Sequence, residues 1–334
     1  MQRRGFVAQV LAGGALWGAR AEGAGQQSAA PVQPAGLARL PEVVVERPLT
    51  GKPHAGKVLA AIQPHADDIS FFAAGTVAKL IAEGYTGHLI KTTNDDKAGA
   101  GTMGETILHN EQDTDAVAKA LGLSKVFTLG FRNHEFDGIS HPEMRERMIF
   151  LIRLLKIDTV ICYDPWGTYE ENPDHYVTAQ VVEEACWMAA GGKDFPEHFE
   201  AGLRPHLVQE KYYFARGPQL VNRIVDYTPW INTKVEANLA NKTQGGGGDN
   251  GARLRARLAA EKRRLPILGN DDDTANREYI KHFFLDLDSE YVRGVPSDRE
   301  TGRPYGIEWA EPYHYIGLPQ SILDRYIAEH AVPL

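Results

Sequence analysis

Ile62-Gln63-Pro64-His65-Ala66-Asp67-Asp68 closes the apolar run Val58 to Ile62 and opens a helical pattern that begins near Ile69. Three groups able to bind or relay a cation fall within these few residues, at the seam between a buried strand and a helix N-terminus. Open α/β sheets place their ligands at strand ends of this kind. In a helix that starts at Asp68, His65 and Asp68 share a face, while Asp67 is turned about 100° away from Asp68. His65 and Asp68 can then hold a metal while the Asp67 carboxylate stays free for proton transfer.

Outward from that stretch, strand and helix patterns alternate: strand Val58 to Ile62, helix Ile69 to Glu83, strand His88 to Thr93, helix Thr106 to Leu121, strand Val126 to Leu129, helix Pro142 to Leu155, strand Thr159 to Cys162 and helix Asp174 to Ala190. Gly84 and Gly122 follow two of the helices as C-terminal stops. A fifth strand near Lys211 to Ala215 completes a Rossmann-like set, and the alternation predicts an α/β fold with a mostly parallel, doubly wound sheet. In the strand order 3-2-1-4-5, the first and fourth strands are neighbours and the chain reverses direction between them. The loop Tyr169-Glu170-Glu171-Asn172-Pro173-Asp174-His175 then leaves the sheet beside His65 and Asp68. His175 becomes the third ligand, because a catalytic zinc takes three protein groups and keeps a fourth position open for water. Zinc held by His65, Asp68 and His175 would lower the pKa of that water to about 7; a two-histidine, one-carboxylate set also accepts Fe2+.

Pro64-His65-Ala66-Asp67-Asp68 and Pro173-Asp174-His175, each after a strand, resemble the PIG-L/LmbE family of zinc-dependent N-acetylglucosaminyl deacetylases. Its members carry a His-Pro-Asp-Asp or similar signature after the first strand and Pro-Asp-His after the fourth. Val221 to Asp226, the helix running into Lys234 to Gln244, and Ala310-Glu311-Pro312-Tyr313-His314-Tyr315 are similar to the family's C-terminal section, so the resemblance covers about residues 55 to 318. It implies a hydrolase that removes an N-acetyl or similar acyl group from an amino sugar or glycoconjugate by metal-activated water, with Asp67 as base. The family assigns the oxyanion and the leaving group to a histidine three positions before the last ligand and to a nearby tyrosine. This chain has Asn172 there, which can donate a hydrogen bond but cannot titrate. Asn172 and Tyr169 therefore join Asp67 as catalytic candidates, with His134 a further possible acid. Ile69 also departs from the family, standing where many members have glutamate. A carbohydrate-binding protein on the same scaffold is the competing expectation.

Other polar groups fall at the same edge of the sheet. Arg132, His134 and Asp137 follow the third strand and Asp96 the second, as substrate contacts or as parts of solvated turns; family members often place an aspartate near Asp137. The first loop has no Gly-x-Gly-x-x-Gly, and the run Gly99 to Gly104 follows the wrong strand for a phosphate site, so a nucleotide is not expected. That run reads instead as a pocket wall. Gly245 to Gly248 reads as a flexible connection, or less readily as a loop at an active-site rim.

Composition sets the remaining bounds. A formal charge of −8, from 36 basic and 44 acidic residues among 334, argues against a broad nucleic-acid footprint and suits a small-molecule or glycoconjugate substrate. Cys162 and Cys186 read as core residues. Arg3-Arg4 before the mild apolar run Val10 to Trp17 reads as a twin-arginine signal over residues 1–21, so periplasmic or secreted localisation is expected. That segment is too short for a stable membrane span. Residues 22–50 read as a flexible leader and 55–334 as the catalytic domain, with a C-terminal extension from about 216.

Overall fold

The computed structural model describes residues 42–318 and 322–333; the twin-arginine segment and most of the expected leader lie outside them. Eight strands form one sheet: β1 (Val44–Glu46), β2 (Val58–Gln63), β3 (Thr86–Thr93), β4 (Lys125–Phe131), β5 (Thr159–Tyr163), β6 (Glu210–Phe214), β7 (Arg223–Asp226) and β8 (Ala310–Gly317). They run in the order β1-β7-β8-β6-β5-β2-β3-β4. The strands read from the sequence are β2 to β6, and their observed sequence β4-β3-β2-β5-β6 is the expected 3-2-1-4-5, parallel throughout. β2 lies between β3 and β5, with Leu59, Ala60 and Ala61 opposite Thr159, Val160 and Ile161. Both chemistry-bearing loops therefore leave adjacent strand ends.

The helices of the main domain are α1 (Asp68–Phe72), α2 (Ala74–Ala82), α3 (Met103–Ala120), α4 (His141–Leu155) and α5 (Pro173–Ala189); α6 (Glu197–Glu200) and α7 (Ile231–Ala240) follow. They pack in two groups, α4 with α5, and α2 and α3 with α7. The apolar faces of strands and helices meet in one large core that includes Ile62, Val77, Ile90, Met148, Val160 and Val181. Cys162 and Cys186 are buried in it, and burial pushes the Cys186 thiol up to about 12.

Four features depart from the sequence reading. The helix expected from Ile69 to Glu83 is broken at Ala73 (φ −136°) into α1 and α2. The break leaves backbone groups without intrahelical partners, and the C-terminal extension satisfies them. Asn238 Nδ2 donates to the Ser70 carbonyl at 2.8 Å and Arg293 to the Phe71 carbonyl at 2.9 Å. The Glu311 carboxylate accepts the Gly75 and Thr76 N–H groups at 2.9 and 2.8 Å. Second, Val44–Glu46, placed in the flexible leader, is an edge strand parallel to β7. Third, the C-terminal extension adds to the sheet itself: β8 inserts antiparallel between β6 and β7. Fourth, the C-terminal extension carries several helices of its own beyond Gln244. After α8 (Asn250–Ala260), α9 (Asp272–Tyr279) continues into a π-helical stretch, Ile280–Leu287, ahead of α10 (Ser289–Arg293). Among the described residues no helix is long and apolar enough to cross a membrane.

Candidate active site

The turn between β2 and α1 is fixed by its own polar groups. Gln63, the last residue of β2, accepts the Ile69 N–H at 3.0 Å, and the Asp68 carboxylate accepts the His65 N–H at 2.8 Å. Asp67 occupies the N-cap position of α1 but makes no side-chain capping bond, so its carboxylate is not consumed by the helix. On the other side Asn172 caps α5, its Oδ1 accepting the Asp174 N–H at 3.0 Å, with Pro173 in the first turn. His175 thus sits in the first turn of a capped helix, facing the β2 turn.

The structure brings the three expected ligands together. His65 Nδ1 lies 3.0 Å from His175 Nε2. Asp68 reaches both rings, with Oδ2 3.6 Å from His65 Nδ1 and Oδ1 3.6 Å from His175 Nε2. All three residues are buried. Behind each imidazole stands a carboxylate: His65 Nε2 lies 3.0 Å from Asp174 Oδ2, and His175 Nδ1 lies 3.1 Å from Glu170 Oε2. The Glu170 carboxylate is held in turn by Arg216 at 2.9 Å. His65 is hydrogen-bonded to Asp174, while His175 Nδ1 lies near Glu170 without an aligned hydrogen bond; the other nitrogen of each ring faces its neighbour. A proton on one of them or a cation held by both satisfies such a pair. A tetrahedral ion with bonds of about 2.0–2.1 Å needs donors about 3.3 Å apart, which the observed set brackets. The donor set therefore fits a divalent ion.

Burial opposes charge on His65, but hydrogen bonds to Asp174 and Asp68 push its pKa well above the ordinary value. Burial likewise opposes ionisation of Asp68, yet the neighbouring His175 and His65 hold it down to about 2. Asp67 goes the other way. Burial, reinforced by the Asp68 charge, raises it to about 7, the range in which a carboxylate takes and returns protons.

A cavity of about 720 Å3 opens onto this set, lined by His65, Asp67, Asp68 and His175 and also by His134, Tyr169 and Asn172. Its wall includes Gly245 and Gly246. The glycine run is thus no plain linker. A Cβ on Gly245 (φ +82°) would fall 2.1 Å from Phe71 Cζ and 2.8 Å from Asp67 Oδ2, and one on Gly247 would fall 2.2 Å from the Asn238 carbonyl oxygen. Only glycine lets the backbone come this close.

The substrate-contact candidates separate. His134 lines the cavity, held at φ +56° while its N–H donates to both Asp174 carboxylate oxygens at 2.9 Å. Asp96 and Arg132 do not line it. They bond each other at 2.9 Å, and Asp96 accepts the Asn133 N–H at 3.0 Å, so the pair clamps the loop that presents His134. Asp137 is exposed in a short 3-10 turn, Phe136–Gly138, away from the cavity lining, as the plain turn reading has it. Of the segment expected to form a pocket wall, Gly99 to Gly104 is absent from the lining, where only the preceding Ala98 appears.

Sequence reasoning missed four supporting residues. Tyr163, at the end of β5, donates to Asp68 Oδ1 at 2.8 Å and stacks on His175 with ring centroids 4.2 Å apart. Asp174, Glu170 and Arg216 orient the histidines from behind. The signal for Tyr163 was a lone hydroxyl at the C-terminal end of an apolar strand, and for Asp174 and Glu170 the proximity of acids to a ligand histidine. Nothing in the sequence marked Arg216.

Comparison with known proteins agrees with this geometry. Residues 60–186 match the model of the PIG-L family, GlcNAc-PI de-N-acetylase. The chain is 28% identical over 196 residues to a diacetylchitobiose deacetylase of Thermococcus kodakarensis, covering 56% of this chain and 70% of that one. Its fold is similar to that of the N,N'-diacetylchitobiose deacetylase from Pyrococcus horikoshii, with a TM-score of 0.60 at 19% identity over 83% of this chain and 87% of that one. It is also similar to the 4-carboxy-2-hydroxymuconate hydratase GalB from Pseudomonas putida, with a TM-score of 0.53 at 14% identity over 79% and 97%. One scaffold thus hosts different reactions, and the site must choose among them. Residues 60–186, where both motifs meet at one buried His-Asp-His set, are thus similar to the PIG-L family.

Proposed function

We propose that the protein hydrolyses the N-acetyl amide of an amino sugar or glycoconjugate at one divalent ion, zinc by preference, held by His65, Asp68 and His175. The observation that carries the reading is the pair of imidazole nitrogens 3.0 Å apart, each ring backed by a carboxylate. An ion bound there would polarise the amide carbonyl and acidify water. Asp67 takes a proton from water as its oxygen attacks the carbonyl carbon. When the C–N bond breaks, the same proton goes to the departing nitrogen, leaving acetate and a free amine. Asn172 spends its Oδ1 on capping α5 and keeps Nδ2 as a donor at the cavity, suited to the oxyanion but not to proton transfer. Asp67 therefore serves as both base and acid.

Acetate release from a panel of N-acetylated sugars by zinc-loaded protein tests the proposal. Turnover should vanish on chelation, return with the metal, and be lost in Asp67→Asn with one ion per chain retained. A fully metal-loaded protein that releases no acetate from any N-acetyl sugar would overturn it and leave the carbohydrate-binding reading. We propose, too, that Arg3-Arg4 directs twin-arginine export; a reporter fused to residues 1–30 should lose export when both arginines become lysine.

A further inference from the structure

Four buried charges of the C-terminal extension run in one line between the two sides of the helix break at Ala73. Arg293, the last residue of α10, donates to the Phe71 carbonyl in α1 at 2.9 Å and pairs with Asp298 at 2.7 Å. Asp298, the first residue of α11 (Asp298–Gly302), pairs with Lys234 of α7 at 2.7 Å, and Lys234 pairs with Glu311 of β8 at 2.7 Å. Glu311 accepts the Gly75 and Thr76 N–H groups at the start of α2. No side chain of the four is more than 4% exposed. Burial opposes ionisation of Asp298, yet Arg293 and Lys234 hold its carboxyl below the ordinary value. Tyr227 and Tyr313 donate their hydroxyls to Asp298 and Glu311. The charges alternate and cancel, and they place a cation at the end of one helix and a carboxylate at the start of the next, as the helix dipoles favour.

Well-packed apolar side chains of the same volume often stabilise a fold more than buried ion pairs do. What the ions add here is fixed geometry at the break. α1 has five residues, all buried, and little more than one turn cannot hold itself helical. Asp67 is its N-cap and Asp68 its first residue. The Asp67 carbonyl accepts the Phe71 N–H at 3.0 Å and the Ser70 hydroxyl at 2.8 Å, so a displacement of Phe71 reaches the base through one hydrogen bond. Arg293 holds the carbonyl of that same Phe71.

We infer that Arg293, Asp298, Lys234 and Glu311 act as one positioning unit, which sets from across the break where Asp67 and Asp68 stand at the metal site. This rests on the de-N-acetylase reading and goes beyond it. Arg293→Lys keeps every buried charge, but one ammonium cannot span Asp298 and the Phe71 carbonyl as the guanidinium fork does. Glu311→Gln keeps the size of the side chain and breaks the other end. Ile152→Ala, buried in the last turn of α4 and absent from the cavity lining, is the control that lowers stability through the core alone. In proteins shown to be folded by urea titration, Arg293→Lys and Glu311→Gln should each weaken zinc by about 10-fold in a chelator competition. Their kcat for acetate release should fall by about 10- to 100-fold with KM within about 2-fold, while the control matches the parent in all three. Zinc affinity within about 2-fold of the parent in either folded variant, or an equal loss in Ile152→Ala, overturns the inference. Should Glu311→Gln fail to fold, Arg293→Lys decides alone. If no sugar is hydrolysed, the de-N-acetylase reading fails, and the zinc affinities still decide whether the four charges position the site.

Discussion

Replacing Gly245 with alanine tests whether the glycine run is a built wall of the active site. The residue sits at φ +82°, where a side chain costs about 1–2 kcal/mol. The new Cβ would lie 2.1 Å from Phe71 Cζ, whereas carbon atoms ordinarily approach to about 3.5 Å. Loop or ring must therefore move by roughly 1.4 Å, and overpacking on this scale costs about 1–3 kcal/mol. Together the terms predict a loss of about 2–5 kcal/mol in urea unfolding. The same Cβ would lie 2.8 Å from Asp67 Oδ2, closer than a carbon tolerates, so the base is displaced as well. A shift of about 1 Å in a reacting group costs about 100-fold in rate. We expect kcat/KM for acetate release to fall by that order with metal content unchanged, because the atoms nearest the new Cβ belong to Phe71 and Asp67 and not to a ligand. Gly104→Ala is the control: nothing lies within 4 Å of its Cβ, and it stands in α3 without a positive φ, so it should be neutral or stabilising by up to about 1 kcal/mol. A Gly245→Ala protein as stable and as active as the parent would refute the reasoning.

Three further outcomes follow from the geometry. Tyr163→Phe removes the hydroxyl that holds Asp68 Oδ1 at 2.8 Å and should weaken metal binding by about 10- to 100-fold in a chelator competition; unchanged affinity would show that Asp68 is oriented without it. Lys234→Met leaves the buried carboxylates of Asp298 and Glu311, each 2.7 Å from the lysine nitrogen, short of a cation, and should cost about 3–5 kcal/mol in urea unfolding; a loss below about 1 kcal/mol would mean the network is redundant. kcat/KM should climb with pH as Asp67 ionises. Burial and the Asp68 charge place that ionisation at about 7 without a cation, and a bound dication favours the carboxylate, so the rising limb should lie below that value; a rate flat from pH 4 to pH 7 would remove Asp67 as the base.

The parallel half of the sheet was legible because Val58 to Ile62, Thr159 to Cys162 and their partners are short apolar runs, each followed by a helical period. The switch point between β2 and β5 then placed His65, Asp68 and His175 together by topology alone. What escaped was set by contacts between distant segments. No local signal breaks the helix at Ala73, since the groups that satisfy the break come from Asn238, Arg293 and Glu311. The short run Val44–Glu46 became a strand only because β7 offered an edge. Gly245 to Gly248 has a linker's composition, and only the proximity of Phe71, Asn238 and Asp67 shows that its lack of side chains serves close packing. Asp96 and Arg132 were correctly placed at the sheet edge, but their pairing could not be read from residues so far apart in sequence.

β8 carries a consequence for how the molecule is made. Its residues 310–317 bond β6 on one side and β7 on the other, and Glu311 at its start caps α2, formed some 230 residues earlier. A nascent chain that has emerged only through β7 therefore exposes two ladder edges and an uncapped α2 beside the metal ligands. Assembly has to wait for the tail, and synthesis halted before residue 310 should yield a species prone to pair its open edges with another copy.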